Sequence, residues 1–75
     1  MTPSLSRREI EVLRHVALGE TSKEIAGALG IGERTVNWHL GRVFVKLHAG
    51  NRAQAVAIAL ELGIMRRPND TQTSP

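Results

Sequence analysis

The fold is decided by the stretch Thr35-Val36-Asn37-Trp38-His39-Leu40, which opens a helix predicted to run from Glu33 to Leu47. At roughly 100° per residue, one side of this helix carries an apolar stripe for burial: Val36, Leu40, Val43, Phe44 and Leu47. The other side carries Asn37 and the chain's single tryptophan, Trp38, with basic residues around them: Arg34, Arg42 and Lys46. The sequence therefore predicts a helix whose outer face contacts a partner.

A shorter amphipathic segment precedes this helix. It runs from Ser22 to Leu29, and Gly30-Ile31-Gly32 joins the two segments. A short helix, a tight turn that contains glycine and a longer helix with a polar outer face form the pattern of a helix-turn-helix. The second helix of that motif enters the major groove of DNA.

The first helix is predicted from its capping signal, Ser6-Arg7-Arg8-Glu9. In a capping box the serine hydroxyl accepts a hydrogen bond from the backbone of the glutamate, and the carboxylate accepts one from the backbone of the serine. Gly19 is the expected stop, and Thr21 or Ser22 is the expected cap of the next helix. The residues that recur at helical spacing, and that we expect to face the core, are Ile10, Leu13, Val16 and Ala17.

A fourth helix is expected from Arg52 to Leu62, capped by Asn51 and ended by Gly63. One of its apolar stripes is sufficient for packing on the core: Ala55, Ile58, Ala59 and Leu62. A second stripe calls for another surface and predicts a homodimer contact, formed mainly on DNA: Ala53, Val56, Ala57 and Leu60. The alternative is that this stripe stays in water, where alanine is well tolerated.

Composition limits the classes of function. A chain of 75 residues without cysteine is too short to enclose a substrate cleft with a catalytic shell, and it lacks disulfides and thiolate metal sites. His15, His39 and His48 lack close pairing. The sequence therefore predicts no enzyme, no catalytic residue, no metal, no cofactor and no small-molecule ligand in this chain.

The number and distribution of charges indicate an anionic partner. Ten basic residues against seven acidic ones give a net charge of +3, and residues 34–52 contain basic side chains but no acid.

No apolar run is long enough to cross a membrane and no signal peptide is evident, so the expected location is the cytoplasm. Residues 1–65 are expected to form one domain, and residues 66–75, which are polar and lack periodicity, a disordered tail.

These residues resemble the DNA-binding domain of LuxR/FixJ-type (GerE-like) bacterial transcription regulators. The resemblance extends over about residues 5 to 64, and its motifs are Leu5-Ser6-Arg7-Arg8-Glu9, Glu11-Val12-Leu13, Gly19, Lys23-Glu24-Ile25-Ala26, Leu29-Gly30-Ile31, Thr35-Val36, His39, Lys46-Leu47 and Asn51-Arg52-Ala53-Gln54-Ala55-Val56. It implies an all-α domain of four helices that binds double-stranded DNA as a dimer, with the third helix in the major groove and the fourth at the dimer interface. Members of this family usually carry a response-regulator receiver or a quorum-sensing domain, which 75 residues do not accommodate, and the segment from Thr35 to His39 looks more like the quorum-sensing branch.

The resemblance also implies roles for single residues. Candidates for base contacts are Asn37, Trp38 and Gly41. Arg34 is a fourth candidate, because it lies beside them on the helix. Candidates for phosphate contacts are Lys23, Thr35, His39, Arg42 and Lys46. Two positions depart from the family pattern: Gly41 stands where a basic residue is common, and Gly32 where a serine cap is common. The first departure leaves fewer side chains to read bases.

Two other functions fit parts of the sequence. The promoter-reading region of a sigma factor shares the capped first helix, although the fourth helix argues against it. A helical protein-interaction module could use Trp38 and Val45 to hold a partner. Salt dependence separates DNA binding from an apolar protein contact, because DNA binding releases counterions.

Overall fold

The computed structural model describes residues 3–66, and within that range the chain forms four helices and no strand. The helices are α1 (Arg7–Ala17), α2 (Ser22–Leu29), α3 (Glu33–Leu47) and α4 (Arg52–Glu61). This confirms the predicted all-α class. Helix α4 ends one residue earlier than predicted, and residues 67–75 of the predicted tail lie outside the described residues.

Side chains close the first turns of three helices. The Ser6 hydroxyl accepts from the Glu9 backbone N–H at 3.1 Å, and the Glu9 carboxylate accepts from the Ser6 N–H at 2.8 Å. Thr21 and Glu24 form the same reciprocal pair at the start of α2, and Asn51 caps α4. Each such cap contributes about 1 kcal/mol. Because Thr21 is the cap of α2, the neighbouring Ser22 hydroxyl is free to bond elsewhere.

The turn between α2 and α3 depends on Gly30, which adopts a left-handed conformation with φ of 69°. Glycine enters this region without the steric cost of a Cβ atom. The Ile31 N–H then donates to the Ala26 carbonyl at 3.1 Å, which closes the end of α2. Three residues thereby join α2 to α3, and the two helices pack against each other.

Helix α3 lies at the centre of the core and packs against each of the other three helices. It buries four apolar side chains, Val36, Leu40, Val43 and Leu47. The predicted fifth member of this stripe, Phe44, is only partly buried. The remaining buried apolar side chains come from the other helices and the segment after α4: Val12, Leu13, Val16, Ile25, Ala55, Ala59 and Met65.

Two of the predicted core stripes differ from the structure. Helix α1 is rotated so that Glu9 and Val12 enter the core, whereas Ile10 and Ala17 are only partly buried. On α4, Leu62 was expected in the core but is 42% exposed. Leu62 keeps a right-handed helical backbone as the C-cap, and its N–H still donates to the Ile58 carbonyl at 2.9 Å. Its exposure therefore means that the buried side of α4 does not extend to the end of the helix.

An ion-pair cluster ties α1 to α3. The Glu9 side chain is 2% exposed, and its two oxygens accept from Arg42 Nε at 3.0 Å and from Lys46 Nζ at 2.8 Å. We call this group of three residues the Glu9 clamp. The same carboxylate caps α1, so one buried side chain fixes both the start of α1 and the rotation of α3 about its axis.

The pKa of Glu9 reflects both its burial and its partners. Burial raises the pKa. The hydrogen bonds from Lys46, from the Ser6 backbone and from Arg42 together lower it by more than burial raises it, so the pKa falls from the ordinary 4.5 to about 2. Glu9 is therefore ionised in the folded domain at all but strongly acidic pH. Its contribution to stability is present above pH ~4.5 and is lost as the pH falls towards 2.

Glu9→Gln is expected to lower the free energy of unfolding at neutral pH by on the order of 3 kcal/mol, since the two cations lose their buried counter-charge. The difference from the native chain should shrink as the pH falls from about 5 to about 2, where Glu9 itself becomes protonated. Urea unfolding monitored by circular dichroism over this pH range measures both effects.

Glu11→Gln is the matched control, because it makes the same chemical change on the same helix. Its ion pair with Arg8 is 3.3 Å long and about two-fifths exposed, so its loss should cost at most ~1 kcal/mol. Equal effects of the two substitutions at neutral pH would contradict the role given to the Glu9 clamp.

Candidate nucleic-acid interface

The outermost edge of α3 lies opposite its buried stripe. At roughly 100° per residue this edge consists of side chains spaced by three or four positions: Arg34, Trp38, Gly41 and Val45. Trp38 is 58% exposed and Val45 is 74% exposed. Five of the base-reading and phosphate candidates line a shallow groove along this edge together with Val45: Asn37, Trp38, Gly41, Arg42 and Lys46.

The indole ring of Trp38 contacts two neighbouring side chains on this edge. The guanidinium carbon of Arg42 lies 5.1 Å from the centroid of the indole ring, a cation–π distance. The His39 ring meets the indole at 66° with centroids 5.0 Å apart. The exposed tryptophan therefore has a defined orientation before any partner arrives.

Gly41 leaves a notch between Trp38 and Val45. A Cβ atom built at this position meets no other atom within 4 Å. The glycine is therefore not required by crowding in the folded domain. It uncovers the backbone of α3 at the middle of the exposed edge, where a partner can approach closely.

Asn37 lies on the flank of α3 that faces α2. Its side-chain oxygen Oδ1 accepts from the Ser22 hydroxyl at 2.6 Å, and Ser22 Oγ in turn accepts from the Arg52 guanidinium. Arg52 also donates to the Glu20 carbonyl at 3.2 Å. Residues of α2, α3 and α4 thus meet in one chain of hydrogen bonds, with the Asn37 amide at its exposed end.

The five phosphate candidates occupy three kinds of environment. Lys23 and Thr35 are exposed in the first turns of α2 and α3. Arg42 and Lys46 belong to the Glu9 clamp, with 48% and 29% of their side chains exposed. His39 is partly buried, and its Nδ1 has no hydrogen-bond partner among residues 3–66.

The Glu9 clamp changes the electrostatics of the interface. One of the two positive charges that Arg42 and Lys46 carry is balanced by the ionised Glu9 carboxylate. The flank of α3 is therefore less positive than its sequence suggests, although the Arg42 guanidinium keeps further N–H donors for a ligand. Arg34 and Lys23 are both exposed.

Sequence reasoning missed two features of this site. Glu9 was assigned to the cap of α1 alone, although it stands at helical spacing with Val12, Leu13 and Val16 and thus on the buried stripe. That spacing was a usable signal. The chain of hydrogen bonds from Arg52 through Ser22 to Asn37 joins positions that are 30 and 15 residues apart in sequence. No local sequence pattern indicates such contacts.

The four candidates for a dimer contact on α4 fall into two groups. Ala53 and Ala57 are exposed, and Ala57 lies opposite the buried Ala55 and Ala59 at helical spacing. Val56 and Leu60 are partly buried and pack against the core of their own chain. The surface that α4 leaves free is therefore centred on Ala57.

Residues 3–66 lack two other features. No three or more His, Asp or Glu side chains in that range come together in a way that could hold a metal ion. None of the helices described there has the length and hydrophobicity to cross a membrane.

The fold and its exposed edge define a helix-turn-helix domain of the DNA-binding class, in which α2 and α3 form the motif. Residues 3–59 match the family described as bacterial regulatory proteins, luxR family. The chain belongs to this family, and its domain is that of a DNA-binding transcription regulator. This confirms the resemblance found in the sequence.

Curated relatives are transcriptional regulators, one of them described as quorum sensing-dependent. The chain is 50% identical over 62 residues to RpaR of Rhodopseudomonas palustris, an HTH-type quorum sensing-dependent transcriptional regulator, covering 83% of this chain and 26% of RpaR. It is 46% identical over 61 residues to the transcriptional activator protein AnoR of Acinetobacter nosocomialis, covering 81% of this chain and 26% of AnoR. The chain therefore spans about a quarter of the length of these relatives.

A solved structure of similar fold is the response regulator ChrA of a heme-sensing two-component system. The TM-score is 0.81 at 35% sequence identity, and the match covers 83% of this chain and 31% of ChrA. A similar domain thus occurs in a two-component response regulator and in the quorum sensing-dependent regulator RpaR.

Gly41→Ala is expected to stabilise the domain by about 0.5–1 kcal/mol, because a helix-interior glycine costs this much relative to alanine and the added Cβ meets no atom within 4 Å. Thermal or urea unfolding measures the change. Gly27→Ala is the matched comparison, since Gly27 is also helical with open space around it. A loss of stability on Gly41→Ala alone would show that α3 is locally distorted at this position.

Proposed function

We propose that the chain is the DNA-binding effector domain of a transcription regulator that recognises a specific sequence by placing α3 in the major groove. The observation that carries this proposal is the uncovered outer edge of α3, with Trp38, Gly41 and Val45 exposed and Asn37 beside them. The helix has 15 residues and is about 22 Å long at 1.5 Å per residue. It is therefore long enough to lie across a major groove, which is about 12 Å wide and admits an α-helix.

The chemistry of this edge suggests what it reads. Asn37 Oδ1 accepts from Ser22 but keeps a second lone pair, and Nδ2 keeps both protons. The amide therefore still offers the acceptor and the donor that pair with adenine in the major groove. Trp38 and Val45 offer apolar surface, which suits the methyl group of thymine. Gly41 contributes by letting the α3 backbone approach the bases, and Arg34 supplies a long basic side chain at the same edge.

Phosphate contacts are proposed on both sides of this edge. Lys23 and Thr35 stand in the first turns of α2 and α3, where backbone N–H groups favour anions. On α3 itself, Arg42, Lys46 and His39 share one flank with Thr35 at roughly 100° per residue, on the side of the edge away from Asn37. Because Glu9 already balances part of the charge there, Arg42 and Lys46 should contribute less to the salt dependence of binding than two free cations.

Asn37→Ala is expected to lower the preference for one base pair by about 1–3 kcal/mol while leaving the other positions unchanged. The DNA is obtained by selecting bound sequences from a random pool with the native domain. Fluorescence anisotropy against that sequence and its single-base variants, at two or more salt concentrations, gives the preference at each position.

Lys23→Ala is the comparison, and it should weaken binding to all sequences alike and reduce the salt slope by about one ion. If Asn37→Ala weakened every sequence equally, Asn37 would not be a base-reading residue. Binding that did not depend on salt would contradict DNA recognition and favour the protein-interaction alternative. Membership of the luxR family leaves the sigma-factor alternative without support.

Dimerisation on DNA is the second part of the proposal, with α4 as the contact. Around Ala57, α4 exposes two alanines, Ala53 and Ala57, beside Gln54 and Glu61. One helix then buries only a few hundred Å² per partner, below the ~800 Å² per side of a standard stable interface. The isolated domain should then be monomeric at micromolar concentration. Two copies held on neighbouring half-sites make the same contact intramolecularly.

Ala57→Glu is expected to abolish cooperative occupation of two half-sites while preserving binding to one, because it places a charge at the centre of the free surface of α4. Gel shifts with DNA that carries one or two half-sites measure this. Ala57 is chosen because Leu60 also packs on the core. Ala28→Glu adds the same charge on an exposed position of α2 and should keep cooperativity; full cooperativity in Ala57→Glu would remove α4 from the interface.

A further inference from the structure

The Asn37 amide is bonded on its inner side to a residue of another helix. Its Oδ1 atom accepts from the Ser22 hydroxyl at 2.6 Å, and the Arg52 guanidinium donates to the oxygen of that hydroxyl. Arg52 is the first residue of α4, and its second contact, 3.2 Å to the Glu20 carbonyl, fixes it against the turn between α1 and α2.

The donors and acceptors in this chain have a definite direction. A guanidinium has only donors, so the Ser22 oxygen must accept from Arg52. The serine proton is then directed to Asn37 Oδ1, which places the amide oxygen towards α2. The Nδ2 group, at the other end of the amide, keeps both of its protons for a ligand.

We propose that Ser22 and Arg52 are specificity-determining positioning residues, which act by holding the Asn37 amide in one orientation for base recognition. This inference rests on the proposed base-reading role of Asn37. It adds that neither residue needs to touch the base. Without the Ser22 hydroxyl the exposed amide would rotate freely, and it would have to be ordered each time it met a base.

Arg52 connects the Asn37 amide to α4. Helix α4 is the proposed dimer helix, and its first residue, Arg52, begins the chain of hydrogen bonds that ends at Asn37. A displacement of α4 would therefore be transmitted to the amide through two hydrogen bonds, whereas the exposed edge formed by Trp38 and Val45 has no such connection to α4 among residues 3–66.

The experiment measures base preference at the position read by Asn37, defined as the Kd for a site changed at that base pair divided by the Kd for the selected site. Ser22→Ala should lower this ratio roughly two- to tenfold, the value of one hydrogen bond, with affinity for unrelated DNA unchanged. Ser22→Thr keeps a hydroxyl and should retain most of the preference. Ser4→Ala removes a serine hydroxyl from an exposed position outside the site and should have no effect.

Arg52→Met is the second variant, because it removes the guanidinium but keeps a long apolar side chain. It should lower the same ratio, and urea unfolding verifies that each variant is folded. In a double-mutant cycle, Ser22→Ala should add nothing to the loss of preference in Asn37→Ala, because both changes remove one function.

The outcomes distinguish the inference from the proposed function. If Asn37→Ala relaxes the preference while folded Ser22→Ala and Arg52→Met retain it in full, the positioning role is wrong and the base-reading role stands. If Asn37→Ala leaves the preference unchanged, Asn37 does not read a base and the inference fails with it. A uniform loss of affinity in Ser22→Ala, without change in preference, would mark Ser22 as a backbone-contact residue and overturn the proposal.

Discussion

The arrangement of the domain depends on one buried carboxylate. Glu9 is 2% exposed, and a charge removed from water to this extent is tolerated only when it is paired and hydrogen-bonded. Its oxygens meet that requirement with the Ser6 backbone and the Arg42 and Lys46 side chains. Because these partners belong to the cap of α1 and to one flank of α3, α3 cannot rotate about its axis without exposing the carboxylate or leaving it unpaired.

This constraint extends to the exposed edge of α3. Arg42 donates to Glu9 through Nε, and its guanidinium carbon lies 5.1 Å from the centre of the Trp38 ring. The buried carboxylate therefore positions the arginine, and the arginine positions the tryptophan. The cost is electrostatic, since a cation that is paired with Glu9 attracts a phosphate less strongly than a free one.

Local signals in the sequence were sufficient for the helices and insufficient for their contacts. The caps at Ser6, Thr21 and Asn51 predicted where helices begin because a cap is a contact between residues three apart. The Glu9 clamp joins residues 33 and 37 apart. The spacing of Glu9 with the buried stripe indicates that its side chain is buried, but no local pattern identifies Arg42 and Lys46 as its partners. Helix α4 was uninformative for another reason, since alanine is nearly as well tolerated in water as in the core and so does not identify the buried side.

The two flanks of α3 are held by different means, and its edge is left free. On one flank the Glu9 clamp holds α3 to α1 through charge; on the other, Ser22 holds Asn37 to α2 and, through Arg52, to α4. A helix supported on both sides has these side chains ordered before binding, so under the proposed function less conformational entropy is lost when DNA is bound. In the proposed complex Trp38 and Val45, which stand between the two flanks, meet the bases, and the exposed basic side chains outside the Glu9 clamp are the ones that the phosphates must still order.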